Sequence, residues 1–399
     1  MNLVDTFSFT LGTHQLKFGV DYRQLYPIIE PIEYLQQLTF TSVAGTSGTS
    51  PPGSVLSGTV SSVFISGSLG SAFPRFTELS MFGQDTWQLA PRLTLTYGLR
   101  WELNPPPKGK DGNDAFTVIG LDNPATMTLA PQGTPLWKTT YNNFAPRIGI
   151  AYQLSKRQGQ EITLRGGFGL FYDLGNGQAA QGFGGTFPFT ATRQLTNVPY
   201  PLSAAQASPP VIFNPPTPPY GVVNALDPNL KLPRTYQWSL SLERSLGTDQ
   251  TLSVAYVASA GRELLRKESL RNPNPNFTTV NVIRNAAESS YNSLQLQFQR
   301  RLSGGLQALA SYTWSHSIDT ASEESLAGLP VARMNPNVDR GPSDFDVRHS
   351  FAGAVTYNLP DPNVTRIGNA VFRDWSIDAI FRARTGTPIN VVTGADPFG

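Results

Sequence analysis

The sequence predicts an all-β, antiparallel fold, and three observations lead to that prediction. Apolar and polar residues alternate in many runs of about ten residues, which is the pattern of half-buried β-strands. Short connections rich in Gly, Ser and Pro join these runs into pairs, whereas long irregular stretches separate one pair from the next. Charged residues make up only 15% of the 399 residues, well under the usual quarter.

The alternation is clearest between Ser293 and Trp314, in SLQLQFQRRLSGGLQALASYTW. Its first run places Leu294, Leu296 and Phe298 on one face and three glutamines on the other, because successive side chains of a strand point in opposite directions. A Ser-Gly-Gly turn follows, and the second run has the same alternation. This segment is therefore predicted to be a β-hairpin with one apolar and one polar face.

Five further pairs follow the same pattern, so the sequence predicts six hairpins and about twelve strands. In chain order the pairs are FSFTL with QLKFGVDYR, FTELSMFGQDTWQL with RLTLTYGLRWEL, APRIGIAYQL with EITLRGGFGLFYD, TYQWSLSLERSL with QTLSVAYVAS, the hairpin above, and VRHSFAGAVTYNLP with DWSIDAIFRART. The last pair has a longer connection than the others.

The long stretches between the pairs are predicted to be loops: 24–75, 103–143, 174–234, 260–290 and 318–345. Loops of this length are uncommon in compact soluble domains. Short turns that alternate with long loops are typical of a transmembrane β-barrel, with the turns periplasmic and the loops extracellular. Strands of about ten residues also suffice to cross a bilayer when tilted. The sequence therefore predicts an antiparallel transmembrane β-barrel with its apolar face toward lipid.

Two soluble folds are the alternatives. A sandwich packs its apolar faces together, but its strands are usually shorter, with more frequent turns. A propeller requires a fixed repeat of about 40–50 residues, and these hairpins are irregularly spaced.

Catalytic, cofactor and metal sites are not predicted, and we expect no enzyme. The three histidines, His14, His316 and His349, lie in or beside different connections, with no spacing typical of a nucleophile or a ligand set. The Gly-rich segments precede no predicted helix, so they do not match a phosphate-binding loop. The chain has no cysteine, which excludes disulfides and thiolate metal sites, and no basic run that predicts nucleic-acid binding.

Several segments resemble the barrel of Oar-like TonB-dependent outer-membrane receptors. They are FGQDTWQLAPRLTLTYGLRWEL, NNFAPRIGIAY, LRGGFGLFYD, YNSLQLQFQRRLSGGLQALASYTWSHSID, SDFDVRHSF and WSIDAIFRARTGTPINV. The resemblance implies a bacterial outer-membrane barrel of 22 strands, filled by an N-terminal plug domain and energised from the inner membrane through TonB. Its partners would be outer-membrane lipid, the plug, the TonB complex and a transported substrate that the sequence does not identify.

Because the sequence contains about twelve such strands, we expect residues 1–399 to be a partial barrel domain that lacks the plug domain and the C-terminal strands. The expected form is an open, curved sheet whose edges are the first hairpin, Phe7–Arg23, and the last strand, Trp375–Thr385. The implied function is energised passage of a solute or polymer. A barrel for surface display or adhesion and a passive porin are the alternatives.

Charged residues of the predicted strands share the parity of the polar face. The candidate lumen-facing contacts with a plug or a substrate are Lys17, Arg23, Arg100, Arg147, Arg165, Glu243, Arg301, Arg382 and Arg384. The alternative is that these charges only hydrate the lumen or pair with one another, because charges on the lipid face are costly.

Aromatic residues fall near the predicted strand ends, as expected for the two interfacial belts of a membrane barrel. The candidate belt residues are Tyr22, Trp87, Trp101, Tyr172, Trp238, Trp314, Tyr357 and Trp375. The alternative is the general preference of aromatic residues for strands.

Overall fold

The computed structural model describes residues 1–40, 58–322, 331–332, 336–360 and 375–389. Within them, twelve strands form one antiparallel sheet in which each strand pairs with its neighbours in chain order. These strands are β1 (Asn2–Leu11), β2 (His14–Leu25), β3 (Pro74–Ala90), β4 (Leu93–Leu103), β5 (Phe144–Ser155), β6 (Ile162–Tyr172), β7 (Arg234–Leu246), β8 (Gln250–Asn274), β9 (Phe277–Ser303), β10 (Leu306–Asp319), β11 (His349–Asn358) and β12 (Ser376–Arg384). The six predicted hairpins and their order are confirmed.

Short turns close the first five hairpins at one end of the sheet, called the turn end below, whereas β11 and β12 are joined by a longer connection that lies mostly outside the described residues. In the turn between β9 and β10, Gly304 and Gly305 have φ values of 58° and 77°. Glycine adopts such positive values without steric cost, and two-residue hairpin turns of the favoured hand require them. The register shifts once between Ser303 and Arg300, and beyond that shift Leu296 pairs with Tyr312 and Gln297 with Ser311.

The strand register divides the sheet into two faces. The apolar face carries Leu95 and Leu296, and the polar face carries Thr94 and Gln297. Large apolar side chains on the first face are exposed along several strands, for example Leu240 at 54% of its reference area. A soluble sheet would cover such a continuous apolar surface.

The sheet is open at both ends in the described part of the chain. There β1 pairs only with β2, and β12 pairs only with β11. All ten residues of β1 are exposed. The expected edge strands are therefore confirmed. Neither helix in the described segments has the length and apolar character needed to cross a membrane.

The prediction that 260–290 is a loop is wrong. β8 and β9 are 25 and 27 residues long and continue as one hairpin to a tight turn between Asn274 and Phe277. The register shifts between Gly261 and Leu265, and these shifts interrupt the alternation that marks a strand in the sequence. The parallel strand Val222–Leu226 also pairs with β9, so tertiary packing supports this extension.

The other long connections are also partly ordered, and three of the short strands in them form a second sheet, Tyr34–Thr39, Thr59–Ser68 and Thr190–Pro199. The remaining elements are the helices α1 (Asn176–Gly184) and α2 (Ala204–Ala207), the 3₁₀ turns Lys110–Gly112, Pro124–Thr126 and Pro336–Asp339, and the strands Lys108–Gly109, Val118–Ile119, Thr128–Leu129, Val222–Leu226, Val331–Ala332 and Gly341–Pro342. Parts of the predicted loops 24–75 and 318–345, namely 41–57, 323–330 and 333–335, lie outside the described residues.

Apolar residues of these connections pack over the polar face at the end of the sheet opposite the turns, called the loop end below. Phe76 of β3, on the same face as Ser80, is 3% exposed and packs with Phe183 of α1, Phe189 and Ile283. Leu25 of β2, its partner in register, borders the same cluster. We call the packed connections 103–143 and 174–233, together with the extended ends of β8 and β9, the cap. The cap lies against the polar face and leaves the apolar face uncovered.

Candidate functional site on the polar face

A polar cavity of about 250 Å³ lies on the polar face near the loop end of β2 to β6. It is lined by Asp21, Arg23, Glu78, Ser80, Arg100, Glu102, Asn104, Arg147, Tyr172 and Leu174. Five adjacent strands contribute, because the two-residue repeat of each strand brings its polar positions to the same face. Asp21, Ser80 and Glu102 stand in one row across three of these strands.

Arg100 is the centre of the charge network in this cavity. Its Nε lies 2.5 Å from Glu102 Oε1, and its Nη2 lies 3.5 Å from Asp21 Oδ2. Nη2 also donates a hydrogen bond of 2.7 Å to Ser80 Oγ. Arg23 lies 3.2 Å from Asp21 and 4.0 Å from Glu78. Two arginines, Arg23 and Arg100, thus neutralise most of the charge of three carboxylates. Both arginines contact Asp21, so their ion pairs form one connected network.

Arg147 contributes a cation that forms no ion pair with a described residue. Its guanidinium carbon lies 4.3 Å from the centre of the Phe171 ring, a cation–π arrangement. Gly169 stands opposite Arg147 in register, and a Cβ there would lie 2.9 Å from the Phe171 ring. Gly169, the last residue of the sequence RGGFG, therefore leaves room for the Arg147 side chain to stack on the Phe171 ring.

The cap contacts this cavity through asparagines. The side chain of Asn176, in α1, donates a hydrogen bond to Glu78 Oε1. Asn143 donates from Nδ2 to the carbonyl oxygens of Glu102 at 3.0 Å and Thr140 at 2.9 Å. The charged wall and the cap are consequently joined by hydrogen bonds at this point.

Several buried polar atoms at the cavity have no hydrogen bond to a described residue. They are Asp21 Oδ1, Glu78 Oε2 and both side-chain polar atoms of Asn104. Asn104 is 6% exposed and Glu78 is 5% exposed. Buried polar groups nearly always have partners, because leaving one unsatisfied costs about 1–3 kcal/mol. The cavity can therefore offer donors, acceptors and both signs of charge to a polar ligand or to another segment of protein.

The predicted charged residues are only partly gathered at this cavity. Arg23, Arg100 and Arg147 meet there. Arg165 and Glu243 form a separate, half-exposed pair at 3.5 Å. The remaining ones lie elsewhere on the sheet: Lys17 on β2, Arg301 beside the turn after β9, and Arg382 and Arg384 on the edge strand β12. Contact of these nine residues with a plug or a substrate stays a prediction.

Most of the predicted belt residues share the apolar face by register, namely Tyr22, Trp87, Trp101, Trp238, Trp314 and Tyr357. Trp101 donates from its indole nitrogen to the Tyr141 carbonyl oxygen at 2.7 Å. Tyr172 has the same parity by register, but it lies at the end of β6 and lines the polar cavity, and Trp375 immediately precedes β12. Their role as interfacial belts stays a prediction.

Sequence reasoning missed Glu78, Asn104, Asn143 and Asn176. Glu78 could have been predicted to lie on the polar face, because it is two residues before Ser80 on β3 and therefore has the same parity. The asparagines follow strands or lie in the cap, where no periodic pattern marks them.

The histidines lie apart from one another. His14 contacts Asp85, His316 contacts Asp346, and His349 contacts Tyr312. No group of three or more His, Asp or Glu side chains suited to a metal ion occurs among the described residues. The absence of an enzymatic activity stays a prediction.

Comparison with known proteins gives one family match. A family model described as "Outer membrane beta barrel domain" matches residues 1–398. No curated protein matches the chain.

Among solved structures, the chain is similar to three outer-membrane proteins. The FrpB iron transporter from Neisseria meningitidis has 13% identity and a TM-score of 0.45, covering 90% of this chain and 40% of that one. The alcaligin outer membrane receptor FauA from Bordetella pertussis has 12% identity and a TM-score of 0.40, covering 94% and 48%. The outer membrane transporter YddB from Escherichia coli has 11% identity and a TM-score of 0.44, covering 96% and 55%. The chain thus spans between 40% and 55% of the length of these structures.

Proposed function

Since the chain belongs to the family of outer membrane β-barrel domains, we propose that it forms the barrel wall and loops of an Oar-like TonB-dependent receptor. The protein is located in the bacterial outer membrane, with its apolar face toward lipid. In the proposed function, the receptor passes a polar solute or polymer across this membrane, energised through TonB. A plug domain of the same gene product would occupy the space beside the polar face.

The contact between the cap and the polar cavity is the observation that carries this proposal. The cap packs on the polar face at Phe76 and is bonded to Glu78 through Asn176. Loops folded in this way restrict the route along the polar face, which favours a gated transporter over a passive porin. The segments that resemble Oar-like receptors, such as YNSLQLQFQRRLSGGLQALASYTWSHSID, supply the reason to choose this receptor type.

The unpartnered atoms of the cavity indicate what the polar face can contact. Asp21 and Glu78 offer acceptors, Asn104 offers a donor and an acceptor, and Arg147 offers a cation. We propose that plug side chains or a hydroxyl-rich or charged substrate satisfy these groups in the complete protein.

Planar-bilayer recordings and TonB binding together separate the three candidate functions. For the complete gene product we expect no steady conductance, because a plug fills the barrel, and direct binding to the periplasmic domain of TonB. Open conductance without TonB binding would establish a porin. A closed barrel that does not bind TonB would support a surface-display or adhesion protein and refute the proposal.

The proposed topology predicts which connections proteases reach on intact cells. A specific protease site inserted after Phe213, which is 55% exposed in the cap, should be cut from outside. The same site inserted between Gly304 and Gly305, at the turn end, should be cut only after the outer membrane is permeabilised. Cleavage at the second site on intact cells would reverse the assigned orientation.

A further inference from the structure

Two arginines lie on the apolar face near the turn end, Arg244 of β7 and Arg300 of β9. Arg244 stands in register with Ile162 and Leu252, and Arg300 stands in register with Ala308. These partners belong to the apolar face, so both arginines project from the lipid-facing side of the sheet. Charged side chains on this side are costly at the bilayer midplane, and the cost falls toward the interface. Their place at the turn end puts both side chains at the depth of the lipid headgroups.

The protein does not neutralise these two arginines. Arg244 is exposed, and its side chain has no hydrogen bond or ion pair to a described residue. Arg300 donates from Nη2 to the Ser303 carbonyl oxygen at 3.1 Å and from Nε to that of Leu306 at 3.4 Å, but it has no carboxylate partner among the described residues. Both guanidinium groups therefore keep an uncompensated charge at the membrane interface.

The arginines at the loop end of the same face have partners within the protein. Arg234 and Arg262 stand opposite each other in register. Arg234 lies 3.5 Å from Glu263, and Arg262 lies 3.9 Å from Glu288. Within the described residues, the apolar face thus carries paired arginines at the loop end and unpaired arginines at the turn end.

Three turns at the turn end form a connected and positively charged rim. The Gly247 amide donates to the Gly159 carbonyl oxygen, and the Arg301 amide donates to the Asp249 carbonyl oxygen, both at 2.8 Å. The segments 154–162, 244–251 and 299–306 contain the basic residues Lys156, Arg157, Arg244, Arg300 and Arg301, and the acidic residues Glu161 and Asp249. The rim therefore has a positive potential, which attracts anions to the arginines of the apolar face.

We propose that Arg244 and Arg300 bind the headgroups of anionic phospholipids in the periplasmic leaflet. Guanidinium groups form charge-assisted hydrogen bonds to phosphate oxygens. The acyl chains would lie on the neighbouring apolar surface, where Leu242 and Leu252 are 41% and 37% exposed. A headgroup that also carries an ammonium is less suited, because the ammonium would meet the positive rim. The inference rests on the outer-membrane location and on the periplasmic turns of the proposed topology, and it does not depend on transport or TonB.

Native mass spectrometry of the complete gene product, released from nanodiscs, tests this proposal. The nanodiscs contain equal amounts of phosphatidylglycerol and phosphatidylethanolamine with identical acyl chains. The wild-type protein should retain phosphatidylglycerol at least about fivefold better, the effect of one basic side chain at an anionic surface. The double variant Arg244→Gln/Arg300→Gln should lose most of this preference. Equal retention of the two lipids by the wild-type protein, or an unchanged preference in the folded double variant, would overturn the proposal.

Two further variants separate the site from net charge and from folding. Arg271→Gln removes an exposed arginine from the part of β8 that belongs to the cap, and it should leave the preference unchanged. Arg244→Lys/Arg300→Lys keeps both charges and should keep most of the preference. Heat-modifiability on gels identifies which variants fold, and only folded variants are compared. A loss in folded Arg271→Gln as large as in the double glutamine variant would contradict a site at the turn end.

Discussion

Leu296→Arg should destabilise the complete gene product in lipid by about 2–4 kcal/mol, the cost of an arginine on the lipid face near the bilayer midplane. Leu296 lies on the apolar face in the regularly paired stretch of β9, opposite Val254 and Tyr312. The free energy of unfolding, measured by urea titration in lipid vesicles, gives the effect directly.

Gln297→Arg is the matched control, because it introduces the same side chain one residue later on the polar face. Gln297 stands opposite Ser253 and Ser311, where an arginine can stay hydrated. We expect a change well below that of Leu296→Arg. Equal loss of stability at the two positions would mean that the assignment of the faces is wrong.

Arg100→Met should also be strongly destabilising, because it leaves the carboxylates of Asp21 and Glu102 without their shared cation. Removing one partner of a buried ion pair costs about 3–5 kcal/mol. The Arg100 side chain is 24% exposed. Residual hydration therefore places the expected loss at the lower end, about 3 kcal/mol. The same urea titration measures it.

Arg165→Met provides the comparison, since Arg165 also lies on the polar face and has a single carboxylate partner, Glu243. The two side chains are 54% and 47% exposed, and exposed pairs contribute at most about 1 kcal/mol. The loss in Arg165→Met should therefore be below about 1 kcal/mol. Similar losses in the two variants would mean that the network around Arg100 adds nothing to an ordinary surface pair.

The sequence was sufficient to predict the hairpins because the alternation of apolar and polar side chains can be seen within each short segment of the chain. Between Ser293 and Gln299 of β9, apolar residues alternate strictly with polar ones, and the two sets lie on opposite faces of the sheet. The edge strands β1 and β12 followed from the same pattern. The charged residues Arg23, Arg100 and Arg147 were selected by parity alone, and the register brings them to one cavity.

The cap could not be predicted in this way. In the extension of β8 and β9, bulges near Gly261 break the repeat, and burial under the cap makes both faces of β9 partly apolar, as at Val282 and Ile283. Asn104 and Asn176 are placed by chain folding over long distances, which no local pattern encodes. Asp85 has the parity of the apolar face, but only the structure shows that His14 and Tyr97 surround it.

The central claim is that the strands of the sheet span a membrane, with the apolar face toward lipid and the polar face toward water. The environment of successive residues along β9 tests this claim most directly. The chain has no cysteine, so single cysteines can be introduced at each position from 293 to 299 and labelled with a nitroxide. In lipid vesicles, collision with oxygen should be high at 294, 296 and 298, where the label faces hydrocarbon. Collision with a water-soluble nickel complex should be higher at 293, 295, 297 and 299. A two-residue period with opposite phase for the two reagents is the predicted result, whereas the absence of that period, or low oxygen access at 294, 296 and 298, would contradict a membrane-spanning strand.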